Sequence, residues 1–235
     1  PIVNLHGFID KSRYLPDRRD LNRSFPGSET GSLASRIANL FMTEIVSQAT
    51  HGIDLHTGAI HRANLPQIRA NLDDEATAEL ARAFGTPVIL NAAIRPGTLR
   101  AAATGRVPVL VYEAGEALRL DELAIRGGVN GIVRVMRKLD MLPPSRRRTT
   151  SPEPVIARSS SWVRAPQSGI LRTFARQGER VKRDETLLGI VSDPYGEHEH
   201  EIRSPFNGIV IGKLNLPLVN EGDAVYHVAR FHRSD

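Results

Sequence analysis

From Ser32 the apolar residues Leu33, Ile37, Leu40, Phe41, Ile45 and Val46 return at three- and four-residue intervals. That spacing predicts one buried helix face, with Ser32 placed to cap it. The helix leads into Ile53 to Leu55, a short apolar run that reads as a strand. A second helix is predicted from Leu72-Asp-Asp-Glu75 to about Phe84, its acidic first turn favoured by the helix dipole. Val88 to Leu90 and Pro108 to Tyr112 read as strands, and Gly97 to Ala103 as a helix. Leu120 to Leu139 reads as a long helix in which Gly127, Gly128 and Gly131 are weak points. Strands alternating with helices predict an α/β layered domain, whose ligands gather at the carboxyl ends of strands. Residues 1–5 read as a strand entered midway, so further residues of this fold are expected before Pro1. Residues 6–31 and 59–71 read as irregular, and long irregular segments in compact domains commonly carry function.

Beyond Leu139 the pattern changes. Residues 143–154 collect Pro143, Pro144, Pro152 and Pro154 among Ser, Thr and Arg, the composition of a linker. It separates a domain at 1–142 from one at 155–235. The second region has no helical period and contains a repeat. Ala165-Pro-Gln-Ser-Gly-Ile170 matches Ser204-Pro-Phe-Asn-Gly-Ile209, and the stretch from Val181 matches the stretch from Val219 at nearly the same offset. Two pseudo-symmetric halves predict a small all-β barrel-sandwich of the kind that carries lipoyl or biotinyl groups. The hairpin that would present the modified residue, Ser192 to Glu201, contains no lysine. A swinging-arm carrier is therefore rejected, and a structural or oligomerising module, with a homo-oligomer left open, is expected instead.

The chain of 235 residues is 40% hydrophobic and 24% charged, a globular composition with enough apolar residues for a sizeable core. It has no cysteine, so any metal must be held by His, Asp or Glu, and a reducing, cytoplasmic setting suits the composition. No apolar run approaches the roughly 20 residues that span a bilayer, so no membrane partner is expected. The net charge of +5 is partly local, concentrated at Arg146 to Arg148, and aromatics make up only 5% of the chain. Nucleic acid is therefore not the expected partner, whereas a basic cleft mouth receptive to acidic small molecules is compatible with the balance.

Three stretches carry candidate chemistry. In Asp54-Leu-His56 the two polar side chains share a strand face, so a neutral imidazole nitrogen can meet a metal while the carboxylate fixes its tautomer. In Asp20-Leu-Asn-Arg23 an amide beside a guanidinium offers a fork of donors for a carboxylate, with Arg13, Arg18 and Arg19 just upstream. In Tyr112-Glu-Ala-Gly-Glu116 burial at the end of an apolar run suits Glu113 to proton shuttling, and Glu116, past the Gly115 turn, is expected to be solvated. His61-Arg62 and Asn64 to Arg69 either shape a pocket or lie on the surface. His198 and His200 alternate with glutamates in what reads as a polar hairpin.

Taken in order, Asn4 with Phe8, Arg13, Asp20-Leu-Asn-Arg-Ser-Phe-Pro-Gly27, Asp54-Leu-His-Thr-Gly58 and Glu113-Ala-Gly115 resemble the succinylglutamate desuccinylase/aspartoacylase family of zinc carboxypeptidase-like deacylases. The resemblance covers about residues 1–140. It implies an αβα layered domain around a mixed sheet, lacking its N-terminal part, and an enzyme that hydrolyses the amide of a small N-acyl amino acid. It further implies one Zn2+ held by His56 and by a His-x-x-Glu pair that this sequence does not contain and that is expected before Pro1. By the same resemblance Glu113 takes a proton from the attacking water and passes it to the leaving amine. Asn22 and Arg23 grip a substrate carboxylate, and Arg13 polarises the scissile carbonyl, with Arg18 and Arg19 as competitors. A truncated or non-catalytic relative acting as a binding or oligomerisation module is the alternative.

Overall fold

The computed structural model describes residues 2–145 and 153–231. Its opening residues are not the expected strand. The Asn4 side chain accepts a hydrogen bond from Gly7 N–H at 2.8 Å, capping a short helix, α1 (Leu5–Ile9), because a local side-chain acceptor competes well with strand pairing. A 3-10 turn at Leu21–Arg23 follows, capped by Asp20. Helix α2 (Leu33–Glu44) then starts from Ser32, whose hydroxyl accepts from Ser35 N–H, as the pattern predicts.

The segment expected to be irregular at 59–71 is mostly strand. Strands β1 (Gly52–Gly58) and β2 (Arg62–Ala70) precede α3 (Glu75–Phe84), β3 (Val88–Asn91), α4 (Leu99–Ala103), β4 (Val109–Glu116) and α5 (Glu122–Lys138). Pro66 and the polar residues of β2 hide its period in the sequence, but pairing on both edges holds it extended. It lies antiparallel to β4 on one side. On the other, Gln67–Ala70 run parallel to β3 while residues 62–64 pair with a distant strand, so the sheet forks along β2.

That distant strand belongs to the C-terminal half. Strands β5 (Val155–Ala157), β6 (Ser159–Arg164), β7 (Gly169–Thr173), β8 (Arg180–Val181), β9 (Leu187–Ser192), β10 (Glu199–Arg203), β11 (Gly208–Leu214), β12 (Leu218–Val219) and β13 (Ala224–Arg230) complete the described chain. Most of the expected linker, residues 146–152, lies outside the described residues. β5 continues the first half's sheet beside β3, and β11, β13 and β6 continue it beyond β2. The strands starting at the repeated glycines are related by exchange: β8 pairs with β11 and β12 with β7. A separate four-stranded antiparallel sheet runs β10-β9-β7-β12.

Packing follows the period-2 alternation of the central strands. Leu110, Tyr112 and Ala114 of β4 and Ile68 and Ala70 of β2 face α3 and α5, closing a core around Phe84 and Val135. The glycines of α5 are contact points rather than weak points. A Cβ at Gly131 would lie 2.1 Å from the Phe84 ring, and one at Gly127 would lie 2.7 Å from the Tyr112 hydroxyl. On the opposite face Val109 packs with Val46, Ala103 and Val107 beneath α2 and α4. Glu113, four residues further along that face, is directed away from the α3/α5 core. A third core crosses the halves, joining Val88 and Leu90 to Ala157, Ile209, Ile211 and Ala229.

Candidate active site

The parallel pair β1/β4 sets the centre of the site. His56 and Glu113 are register partners across it, and Asp54 stands two residues before His56 on the same face. Asp54 Oδ2 lies 2.9 Å from His56 Nε2. Asn22 Nδ2 also approaches that nitrogen, at 3.4 Å, but Asn22 is oriented by Leu99 N–H, which donates to its Oδ1 at 2.9 Å. Its amide nitrogen therefore points at His56 as a donor, and Asp54 is the only acceptor of the two. Nε2–H accordingly bonds Asp54 and leaves the Nδ1 lone pair free, the tautomer a carboxylate imposes on a metal-binding histidine. Burial, the strongest influence on the ring, pushes the His56 pKa down. The hydrogen bond and charge of Asp54, with the charge of Glu113, outweigh it and leave the net value raised.

Glu113 has a partner for each oxygen. Asn64 Nδ2 donates to Oε2 at 2.7 Å, and Arg69 Nε stands 3.1 Å from Oε1 as an ion pair. The bond from Arg69 Nε is poorly directed, since the nitrogen has no well-aligned acceptor. Sequence reasoning named Asn64 and Arg69 only as part of an ambiguous loop. Their strand alternation was masked by Pro66, yet they are what fixes the Glu113 carboxylate. Glu116 is partly exposed, as expected, but it is also tied down: its oxygens accept from His61 N–H at 3.0 Å and from Asn215 Nδ2 at 2.8 Å, linking the sheet's fork to the C-terminal half.

Arg13, Asn22 and Arg23 reach the same cleft, which has a volume of about 460 Å³ and also contains Asp54, His56 and Glu113. Asp20 organises this rim. Its carboxylate holds Arg13 at 2.7 Å and accepts Asn22 N–H at 2.9 Å, while Arg23 turns a guanidinium nitrogen back to the Asn22 carbonyl. Arg18 and Arg19 are not among the residues lining the cleft. The far wall comes from the C-terminal half, expected from the sequence to be a structural or oligomerising module: Ser160 and Trp162 of β6 and His227 of β13. A lone polar residue in the apolar run Ala-Val-Tyr-His-Val-Ala was the available signal for His227.

Among the described residues, no group of three or more His, Cys, Asp or Glu side chains converges to hold a metal ion. His198 and His200 form no such group either. His56 fits a single metal donor through Nδ1, but the described residues alone do not fit a zinc ion. Nor is any described helix long and apolar enough to cross a membrane.

The fold and cleft define a mixed-sheet α/β protein with its polar side chains at the carboxyl ends of parallel strands. The family described as Succinylglutamate desuccinylase/Aspartoacylase catalytic domain matches residues 1–139, and the chain belongs to that family. It is 36% identical over 93 residues to the N-alpha-acetyl-L-2,4-diaminobutyric acid deacetylase of Halomonas elongata, a match spanning 37% of this chain and 27% of that protein. The product-bound ectoine utilization protein EutE (DoeB) of Ruegeria pomeroyi superposes with a TM-score of 0.84 at 25% identity, over 98% of this chain and 73% of that one. A succinylglutamate desuccinylase/aspartoacylase from Rhodobacter sphaeroides superposes at 0.82 with 24% identity, over 99% of this chain and 74% of that one, a likeness of fold.

Proposed function

We propose that this protein hydrolyses the amide bond of a small N-acyl amino acid. The observation that carries the reading is the meeting of Glu113 and His56 as register partners in one cleft with Asn22, Arg23 and Arg13. Asn22 and Arg23 are suited to grip the substrate carboxylate, since an amide and a guanidinium side by side give directed, charge-assisted donors. That grip orients the amide toward Glu113. Arg13, fixed by Asp20, is placed to withdraw charge from the scissile carbonyl oxygen. Glu113, steadied by Asn64 and Arg69, accepts the proton of the attacking water at a carboxylate oxygen and returns it to the leaving nitrogen. A zinc ion bound here would supply Lewis acidity, taking His56 as one donor and requiring others from outside the described residues. We read the C-terminal strands as a barrel-sandwich module that walls the cleft.

The test is release of free amine from a panel of N-acyl amino acids, with bound zinc measured in the same samples. Glu113→Gln is expected to lower turnover at least a hundredfold while leaving the fold and any bound zinc intact. Turnover unchanged by that substitution sinks the reading. The absence of a three-donor group among the described residues supports a second reading, a non-catalytic binding module. It predicts ligand binding with neither zinc nor turnover.

A further inference from the structure

Gln67 is completely buried, and among the described residues neither its amide nitrogen nor its amide oxygen has a hydrogen-bond partner. Both halves of an amide left unmatched in a core weigh against folding, whereas a leucine of similar size would fill the place without that cost. The position of the side chain gives it a use. Ile68 and Ala70 of β2 face the α3/α5 core, so Gln67 and Arg69 face the cleft side of the sheet. The β2/β4 register shifts between Asn64 and Gln67, and a bulge of this kind re-aims side chains. It lets Asn64, three residues before Gln67, share that face, and Asn64 and Arg69 both reach Glu113. Gln67 is the register partner of Glu113 itself. Directly opposed residues of antiparallel strands carry their Cβ atoms about 5 Å apart on one face.

The groups that hold the Glu113 carboxylate suit only its charged form. Asn64 Nδ2 and the Arg69 guanidinium are donors, and an arginine has no acceptor to offer. Once Glu113 has taken a proton from the attacking water it carries an O–H group, which needs an acceptor where these partners present N–H. Gln67 supplies what is missing. Its oxygen accepts an acid O–H while its nitrogen donates to the acid's other oxygen, the paired arrangement by which an amide meets a carboxylic acid. The buried Arg69 Nε lacks a well-aligned acceptor, so that side does not lock the carboxylate in place.

We propose that Gln67 is a positioning residue for the proton shuttle: it pairs with protonated Glu113 and holds the proton there between its removal from water and its delivery to the leaving nitrogen. No proton passes to the amide, and after delivery Glu113 returns as the carboxylate to Asn64 and Arg69. The role rests on the hydrolase reading, but the pairing itself is testable without turnover.

The experiment compares thermal midpoints of four forms of the 235-residue chain: unaltered, Gln67→Leu, Glu113→Gln and the double variant. The amide introduced by Glu113→Gln has the shape of the neutral acid and, like it, both a donor and an acceptor. Gln67→Leu is expected to raise the midpoint by a few degrees in the unaltered background, where the amide is unmatched, and to lower it beside Glu113→Gln, where the two amides pair. A change of the same sign and size in both backgrounds overturns the pairing, whatever the chain hydrolyses. In the amine-release assay Gln67→Leu and the unbranched Gln67→Met should each lower kcat about tenfold with KM unchanged. Both should also raise the solvent deuterium isotope effect on kcat, a value that lost packing alone does not move. An unchanged kcat overturns the positioning role. Absence of turnover in the unaltered chain overturns the shuttle together with the hydrolase reading, and the reversed midpoints then support the pairing alone.

Discussion

Asn22 shows how one side chain joins structure to chemistry. Its Oδ1 receives Leu99 N–H at the start of α4, and its Nδ2 is thereby aimed at His56. Asn22→Leu should cost about 1–2 kcal/mol in denaturant unfolding, because it strands that backbone donor. It should also weaken substrate binding, whereas Asn22→Asp keeps the acceptor and loses binding only. His227 makes a different prediction. Burial, then Arg69 and Arg95, push its pKa from 6.5 down to about 3. Between those values the unfolded chain binds a proton that the folded protein does not, so stability rises with pH across that window. It is fully present above pH 6.5 and is lost as the pH falls toward 3, by up to a few kcal/mol. His227→Phe keeps a ring against Trp162 and should flatten the pH dependence of the unfolding midpoint through this range; an unchanged slope would count against the assignment. The shared face of Asp54 and His56 could be read from alternation, and Glu113 from its place at the end of an apolar run, but their meeting rests on the β1/β4 register. Asn64 and Arg69 could not be read this way, because their strand is held by partners far away in sequence.

At the scale of elements, α3 and α5 meet through the glycine gap over Phe84. Burying a ring of that size contributes about 1.5–3 kcal/mol, and only a residue without Cβ lets α5 come close enough. Gly131→Ala should destabilise by about 1–3 kcal/mol through overpacking, despite alanine's better helix propensity. A gain in thermal midpoint would refute the packing argument. Periodicity located both helices to within a few residues because each has one clear apolar face. It failed at residues 1–5, where Asn4 caps a helix that is too short to show a period. It failed again at β2, where strand character comes from edges that only the folded sheet supplies.

For the whole molecule, the composition break at residue 143 was legible, but the sharing of one sheet across it was not. Expressed separately, residues 1–145 should show exposed apolar surface and bind a hydrophobic dye, because the core of Val88 and Leu90 is completed by Ala157, Ile209, Ile211 and Ala229. Mixing the halves should restore protection, measured by hydrogen exchange at β2. The pairing of residues 62–64 with residues 212–214 has a further consequence. Contacts so distant along the chain close large loops, which delays them during folding. On a ribosome, β13 emerges after every other described strand, so the wall carrying Trp162 and His227 cannot form before residue 230 has been made. Trp162 emission should therefore recover in the slowest refolding step, after the helices have formed, because the far wall of the cleft depends on the contacts that close last.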